Sequence, residues 1–97
     1  MLFTTSVTLA NRLLEYDVTV SSGGKVNFSN AIYDGDKTIW LGPSGLSAFA
    51  DGDPTMSRTS GNSTSMNAPT QPGKYILTVV NSKNEIVCQS DAFVTVE

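Results

Sequence analysis

The sequence predicts a single small all-β domain, either a sandwich or a barrel. Short apolar runs alternate with clusters of Gly, Asn, Asp, Ser and Pro at intervals of about ten residues, as expected of short strands joined by turns. No segment has the apolar spacing of a helix of ordinary length. The 97 residues correspond to one domain, and a hydrophobic fraction of 39% is sufficient for a core.

The N-terminal segment, residues 1–14, has two interpretations. We favour a strand over residues 3–8 followed by a loop, so that the segment is an N-terminal strand or covers part of the domain. The alternative is two helical turns over residues 8–15, because Leu9 and Leu13 are four positions apart.

Three strands are predicted in the first half of the chain. Residues 16–20 alternate as Y-D-V-T-V, and a Ser-Ser-Gly-Gly turn follows them. Residues 25–29 form the second strand. In the third strand, residues 37–41, Ile39 and Leu41 lie on one face and Trp40 on the other, because successive side chains of a strand alternate.

The middle of the chain is polar, and its last third is strongly β-forming. We predict short edge strands at residues 47–50 and 56–59, and another short strand at 64–68. After a Pro-Gly turn, residues 74–80 (K-Y-I-L-T-V-V) are the strongest strand of the protein. A four-residue hairpin loop then leads into 85–89, and 92–96 completes the sheet edge.

Residues 72–79 read P-G-K-Y-I-L-T-V. This segment resembles the sixth strand of bacterial immunoglobulin-like and fibronectin-like modules, which often carry P-G-x-Y-x-L-x-V. The order of segments 24–28, 38–42 and 90–96 is similar to that of modules appended to secreted polysaccharide-degrading enzymes. Trp40 and Thr38 depart from that pattern, which has Gly and Trp at those positions.

The resemblance implies an immunoglobulin-like antiparallel β-sandwich of about seven to eight strands. It also implies a tyrosine corner at Tyr75, with the ring in the core and the hydroxyl bonded to nearby backbone. As regards function, it implies a non-catalytic carbohydrate-binding module that is extracellular, secreted or at the cell surface. Because this fold hosts many functions, a structural or interaction domain is the alternative: a spacer in a surface protein, or a decoration protein of a virion.

The residue inventory argues against catalysis and against nucleic-acid binding. The chain has no His, and we find no Ser-Lys motif that would activate a nucleophile. Its net charge of −3, with six Lys and Arg and no basic run, lacks the footprint of a nucleic-acid binder. No apolar run approaches the roughly 20 residues of a membrane span, and the first residues lack the pattern of a signal peptide. We therefore expect either a module cut from a longer secreted protein or a small protein that is never exported.

The tripeptide D-G-D occurs twice, as Asp34-Gly35-Asp36 and as Asp51-Gly52-Asp53. Carboxylates spaced in this way can converge on one hard cation, so a structural Ca²⁺ is one interpretation. The simpler interpretation is that each D-G marks a turn between strands, which needs no cofactor.

Alternation places Trp40, Ile76 and Val87 on one outer face of the sheet as an apolar stripe, whereas Tyr75, Leu77, Val79, Ile86 and Cys88 face inward. Exposed apolar patches of this kind usually have a use. Trp40 and Ile76 can stack on sugar rings while Thr38, Thr78 and Lys74 bond to hydroxyls, or Lys74 to a uronic acid.

Three alternatives to polysaccharide binding also account for the stripe. In the first, it is an interface with another domain or another copy, since Trp is enriched at such hot spots. In the second, Leu9, Leu13 and Leu14 fold over it. In the third, the alternation slips by one residue, and Trp40 belongs to the core.

Overall fold

The computed structural model describes residues 13–30 and 33–97, and these contain eight strands and no helix. The strands are β1 (Val18–Val20), β2 (Lys25–Asn27), β3 (Thr38–Gly42), β4 (Ser57–Ser60), β5 (Ser65–Asn67), β6 (Gly73–Val80), β7 (Ile86–Gln89) and β8 (Val94–Val96). The all-β prediction is confirmed.

The strands form two sheets. The large sheet has the order β1-β8-β6-β3-β4, with β7 also paired to β6, and the small sheet pairs β2 with β5. All pairs are antiparallel except β1 with β8, in which Val18 lies beside Val94. The two sheets share a core, an arrangement compatible with a β-sandwich.

Strand β6 organises the large sheet, as its long run of β-branched and aromatic residues predicts. On one edge it pairs with β3, so that Trp40 lies opposite Thr78. It also pairs with β7 at its end and with β8 at its start. Strands β7 and β8 both run antiparallel to β6, and only the short irregular segment 90–93 separates them.

Ser90 joins β7 to β8 across that irregular segment. Its backbone N–H donates to the carbonyl of Leu77 at 2.8 Å, and its buried hydroxyl accepts from the Leu77 N–H at 3.0 Å. The same hydroxyl donates to the carbonyl of Ala92 at 3.0 Å. A side chain thus replaces a missing ladder partner, which keeps the buried groups of Leu77 satisfied.

The core lies between the sheets. The large sheet contributes Ile39, Leu41, Leu77 and Val79, and all four are completely buried. The other members of the core are Leu13, Leu14, Val26, Phe28, Met66, Ala68, Tyr75, Ala92, Val94 and Val96. Leu13 and Leu14 therefore pack into the core, and the prediction that they cover the opposite face is wrong.

Tyr75 makes the contact that the sequence predicts for it. Its ring is buried in the core, and its hydroxyl donates to the backbone carbonyl of Gln71, four residues upstream. The bond ties the loop before β6 to the first residues of that strand.

Two strand predictions have a different outcome. Residues 47–50 form no strand, so that prediction is wrong. The predicted strand at 3–8 lies outside the described residues, as does Leu9. The described residues also contain no helix long and apolar enough to cross a membrane.

Candidate functional site

The residues predicted to bind a ligand share one face of the large sheet, which we call the Trp40 face. Trp40 and Thr38 alternate onto it from β3, and Ile76 and Thr78 from β6. Lys74 follows the same alternation but lies further along, where β6 pairs with β8, and its Nζ lies 5.1 Å from the centroid of the Phe93 ring.

Trp40 is not exposed, and that prediction is wrong. Its side chain is only 5% exposed, and Ile76 and Thr78 beside it are 6% and 3% exposed. The ring of Phe49 lies against the indole, with 5.3 Å between centroids and 34° between planes. The guanidinium of Arg58, from the neighbouring strand β4, lies 5.7 Å from the indole centroid. The face is therefore closed by the protein itself.

Phe49 belongs to the irregular segment 43–55, which we call the cover loop. Its end is fixed by a turn at Asp53, whose carboxylate accepts from the N–H of Thr55 at 2.9 Å and from its hydroxyl at 2.7 Å. These bonds lower the pKa of Asp53, chiefly through the Thr55 hydroxyl. Gly45 and Gly52 both have positive φ, 81° and 88°, a conformation that favours glycine and lets the loop fold back.

A single ion pair connects the cover loop to β4. The Nε of Arg58 lies 2.8 Å from a carboxylate oxygen of Asp51, and both side chains are more than half exposed. Exposed pairs of this kind contribute about 0–1 kcal/mol, so the connection is weak. Arg58 thus contacts the indole and Asp51 at once.

The indole N–H of Trp40 has no hydrogen-bond partner among the described residues, although its nitrogen is fully buried. Burying a donor without a partner costs about 1–3 kcal/mol. Most buried polar groups in proteins are satisfied, so this N–H is an exception with an energetic cost.

A shallow cavity of about 230 Å³ lies beside Arg58. Thr38 and Ser60 line it from opposite positions of β3 and β4, on the same face as Trp40. Gly35, Lys37 and Thr59 complete its wall. It is smaller than the roughly 300–1,000 Å³ of drug-sized sites, and so would hold a single ring.

The two D-G-D motifs lie at turns, and their carboxylates contact neighbouring cations and donors. Lys37 Nζ lies 3.0 Å from Asp36 and 3.9 Å from Asp34. The pKa of Asp36 is lowered, first by its hydrogen bond with Asp34 and then by Lys37. No group of three or more His, Cys, Asp or Glu side chains within residues 13–30 and 33–97 could hold a metal ion. A Ca²⁺ site at Asp34, Asp36, Asp51 and Asp53 stays a prediction.

Strand β7 carries two adjacent exposed apolar side chains. Ile86 and Val87 are 47% and 46% exposed. The inward orientation predicted for Ile86 is wrong, because the register shifts: Val79 pairs with Cys88 but Val80 with Ile86, so that Val87 is an extra residue. A bulge cannot be read from strict alternation.

Cys88 lies half-buried against the core, and its sulfur is 2.9 Å from the hydroxyl of Tyr33. Burial raises the pKa of the thiol, and burial together with the contact to Cys88 also raises the pKa of Tyr33. A protonated thiol is a poor nucleophile and a poor metal ligand.

Sequence reasoning missed Phe49 and Arg58. Phe49 is a large aromatic residue in a polar stretch, and such a residue indicates that the loop packs against an apolar surface. Arg58 gave no signal by itself, because its position opposite Trp40 depends on the register of two strands.

Comparison of the chain with protein-family models, with curated proteins and with solved structures found no match. The function is therefore argued from the molecule alone.

Proposed function

We propose that the chain is a non-catalytic immunoglobulin-like interaction domain that binds other copies of itself along β7. The immunoglobulin-like assignment is supported by the strand order β1-β8-β6-β3-β4, with a first strand parallel to the last and a separate β2–β5 pair. The bond from Tyr75 to Gln71 supports it too, because it matches the tyrosine corner of such folds.

The observation that carries the interaction proposal is the contrast between two surfaces. The face with Trp40 is closed, whereas Ile86 and Val87 are exposed side by side on β7. Among the described strands, β7 pairs only with β6. An edge strand with exposed apolar side chains is a template for another strand.

A second copy of this chain is the partner we favour, because β7 is complementary to itself. In an antiparallel pair centred on Val87 of both copies, Ile86 faces Cys88 and Glu85 faces Gln89, so no like charges meet. Such a domain suits a repeated assembly, either at a cell surface or on a virion.

Sedimentation velocity tests the proposal. We expect wild type to form a concentration-dependent dimer between about 10 μM and 1 mM, as a short interface predicts. Val87→Lys should abolish the dimer, whereas Tyr16→Lys, at another exposed apolar residue, should not. A monomer at all concentrations would refute the proposal, as would equal effects of the two variants.

A charge placed on β7 tests the register. Gln89→Glu should weaken the dimer by placing a second carboxylate opposite Glu85, whereas Gln89→Lys should strengthen it by placing a cation there. Equal effects of the two substitutions would refute the pairing centred on Val87.

A further inference from the structure

We infer that Trp40 and the cavity beside Arg58 form one binding site for a neutral sugar ring, which the cover loop closes in the free protein. This site is separate from β7 and does not depend on self-association. Four observations support it: the aromatic pair, the unsatisfied indole N–H, the balanced polar groups of the cavity, and the weak closure of the loop.

The aromatic pair provides the surface on which a sugar stacks. A pyranose ring presents C–H groups on one face, and the electron-rich face of an indole attracts them. Phe49 occupies that position now, at 5.3 Å from Trp40. A ligand ring that displaces Phe49 replaces an aromatic contact with another apolar contact, so the exchange loses little.

When the cover loop is closed, the buried indole N–H of Trp40 lacks a hydrogen-bond acceptor among the described residues. Thr38 and Thr78 share the face of the sheet on which Trp40 lies, and Arg58 lies over the indole ring. A sugar hydroxyl or a water that enters with it can accept from this N–H. Opening therefore removes a cost that closing imposes.

The cavity provides hydrogen-bond donors and acceptors, and both of its cationic side chains are paired with carboxylates. The hydroxyls of Thr38 and Ser60 both donate and accept, while Lys37 and Arg58 donate. Each cation already faces a carboxylate, Asp36 for Lys37 and Asp51 for Arg58. An anionic ligand would meet those carboxylates, whereas a neutral polyol matches mixed donors and acceptors. This argument favours a neutral sugar over a uronic acid.

Arg58 couples the cavity to the cover loop. It lines the cavity, and it also forms the ion pair with Asp51 in the loop. A sugar that takes hydrogen bonds from Arg58 competes with Asp51 and weakens the closure. Binding in the cavity and opening over Trp40 therefore favour each other.

Fluorescence provides the assay, because Trp40 is the only tryptophan of the chain. We would titrate the protein with maltotriose, cellotriose and mannotriose, and in parallel with trigalacturonic acid and sodium sulfate, up to about 10 mM, which detects very weak binding. At least one neutral trisaccharide should give a saturable change in emission and in acrylamide quenching. No saturable change with any neutral trisaccharide would overturn the inference, as would an equal response to trigalacturonic acid or sulfate.

Two variants separate closure from binding. Asp51→Asn breaks the ion pair without touching the cavity, so acrylamide quenching should rise and apparent affinity should improve about two- to fivefold. Glu97→Gln, which also neutralises an exposed carboxylate but lies outside both proposed sites, should alter neither. Thr38→Val should weaken binding at unchanged melting temperature. If Asp51→Asn leaves both quenching and affinity at wild-type values, the closing role of the cover loop is refuted.

Discussion

Replacing Gly61 with Ala is expected to destabilise the domain severely. Gly61 is buried after β4, where its N–H donates to the carbonyl of Lys37 at 2.8 Å and its own carbonyl accepts from Asn30 at 2.6 Å. A Cβ added there would collide with the backbone oxygen of Asp34, at well under the 3.0 Å that real Cβ contacts respect. The methyl group thus meets a turn that Gly61 itself holds by a hydrogen bond.

The loss of stability in Gly61→Ala depends on how far the neighbouring backbone can shift to accommodate the added Cβ. Overpacking usually costs about 1–3 kcal/mol, and a clash with backbone belongs at the upper end of that range. For a domain of this size each kcal/mol lowers the melting temperature by about 4–8 °C, so we expect a decrease of about 10–25 °C. Circular dichroism during heating, together with urea unfolding, measures it.

Gly35→Ala is the matched control, because Gly35 lies in the same turn. Its added Cβ would lie 3.6 Å from Asn62 Nδ2, an ordinary contact. We expect this variant to remain within about 0.5 kcal/mol of wild type. If the melting temperature of Gly61→Ala is within a few degrees of that of Gly35→Ala, the backbone near Asp34 shifts at little cost and the reasoning is refuted.

The further predictions concern three single groups. Tyr75→Phe removes the donor to Gln71 and should lower the free energy of unfolding by about 0.5–1.5 kcal/mol, measured in urea. Ser90→Ala leaves the buried N–H of Leu77 without its hydroxyl partner and should cost about 1–3 kcal/mol in the same assay. Since burial raises the pKa of the Cys88 thiol, Ellman's reagent at pH 8 should react at least about tenfold more slowly with native than with urea-unfolded protein. The stability that Cys88 contributes is complete below the unfolded pKa of about 8.5 and is lost as pH rises toward the higher folded value, which urea melts at pH 7 to 10 would show.

Each of the three has an internal comparison. Tyr16→Phe changes an exposed hydroxyl and should leave stability at the wild-type value, and Ser82→Ala in the hairpin loop should do the same. Equal losses in Tyr16→Phe and Tyr75→Phe would contradict a specific role of the Gln71 bond. Equal thiol reactivity in native and unfolded protein would mean that Cys88 is not protected.

Local patterns in the sequence were sufficient to predict most strands, because each strand has its own alternation and its own turn residues. Tyr75 is the clearest case, since both its burial and its hydroxyl contact follow from the motif around it. Only the 47–50 prediction failed among the strands in the described residues. There a few apolar residues in a polar stretch suggested a strand, but they serve instead to bring Phe49 onto Trp40.

The sequence predicted which residues share the face of the candidate site, but it did not predict that other residues cover that face. Alternation correctly assigns Trp40 to the face opposite Ile39 and Leu41, because the period of a strand is fixed by its backbone. Alternation does not say what lies on that face. The approach of Phe49 to Trp40 and the pairing of Arg58 with Asp51 depend on how a long loop folds back, and no local periodicity specifies that.

The parallel pairing of β1 with β8 also decides when the fold can be completed. The N–H of Phe93 bonds to the carboxylate of Asp17, which is 76 positions away in the chain, and Val18 pairs with Val94 directly after it. Such distant contacts are slow to form, because chain entropy must be lost before they are made. A nascent chain can assemble the β3–β6 pair early, yet among the described strands β1 has none to join until residues 94–96 are available. Closure of this edge is therefore expected to be the last step of folding, and shortening the chain before Val94 should leave β1 unpaired however well the centre has formed.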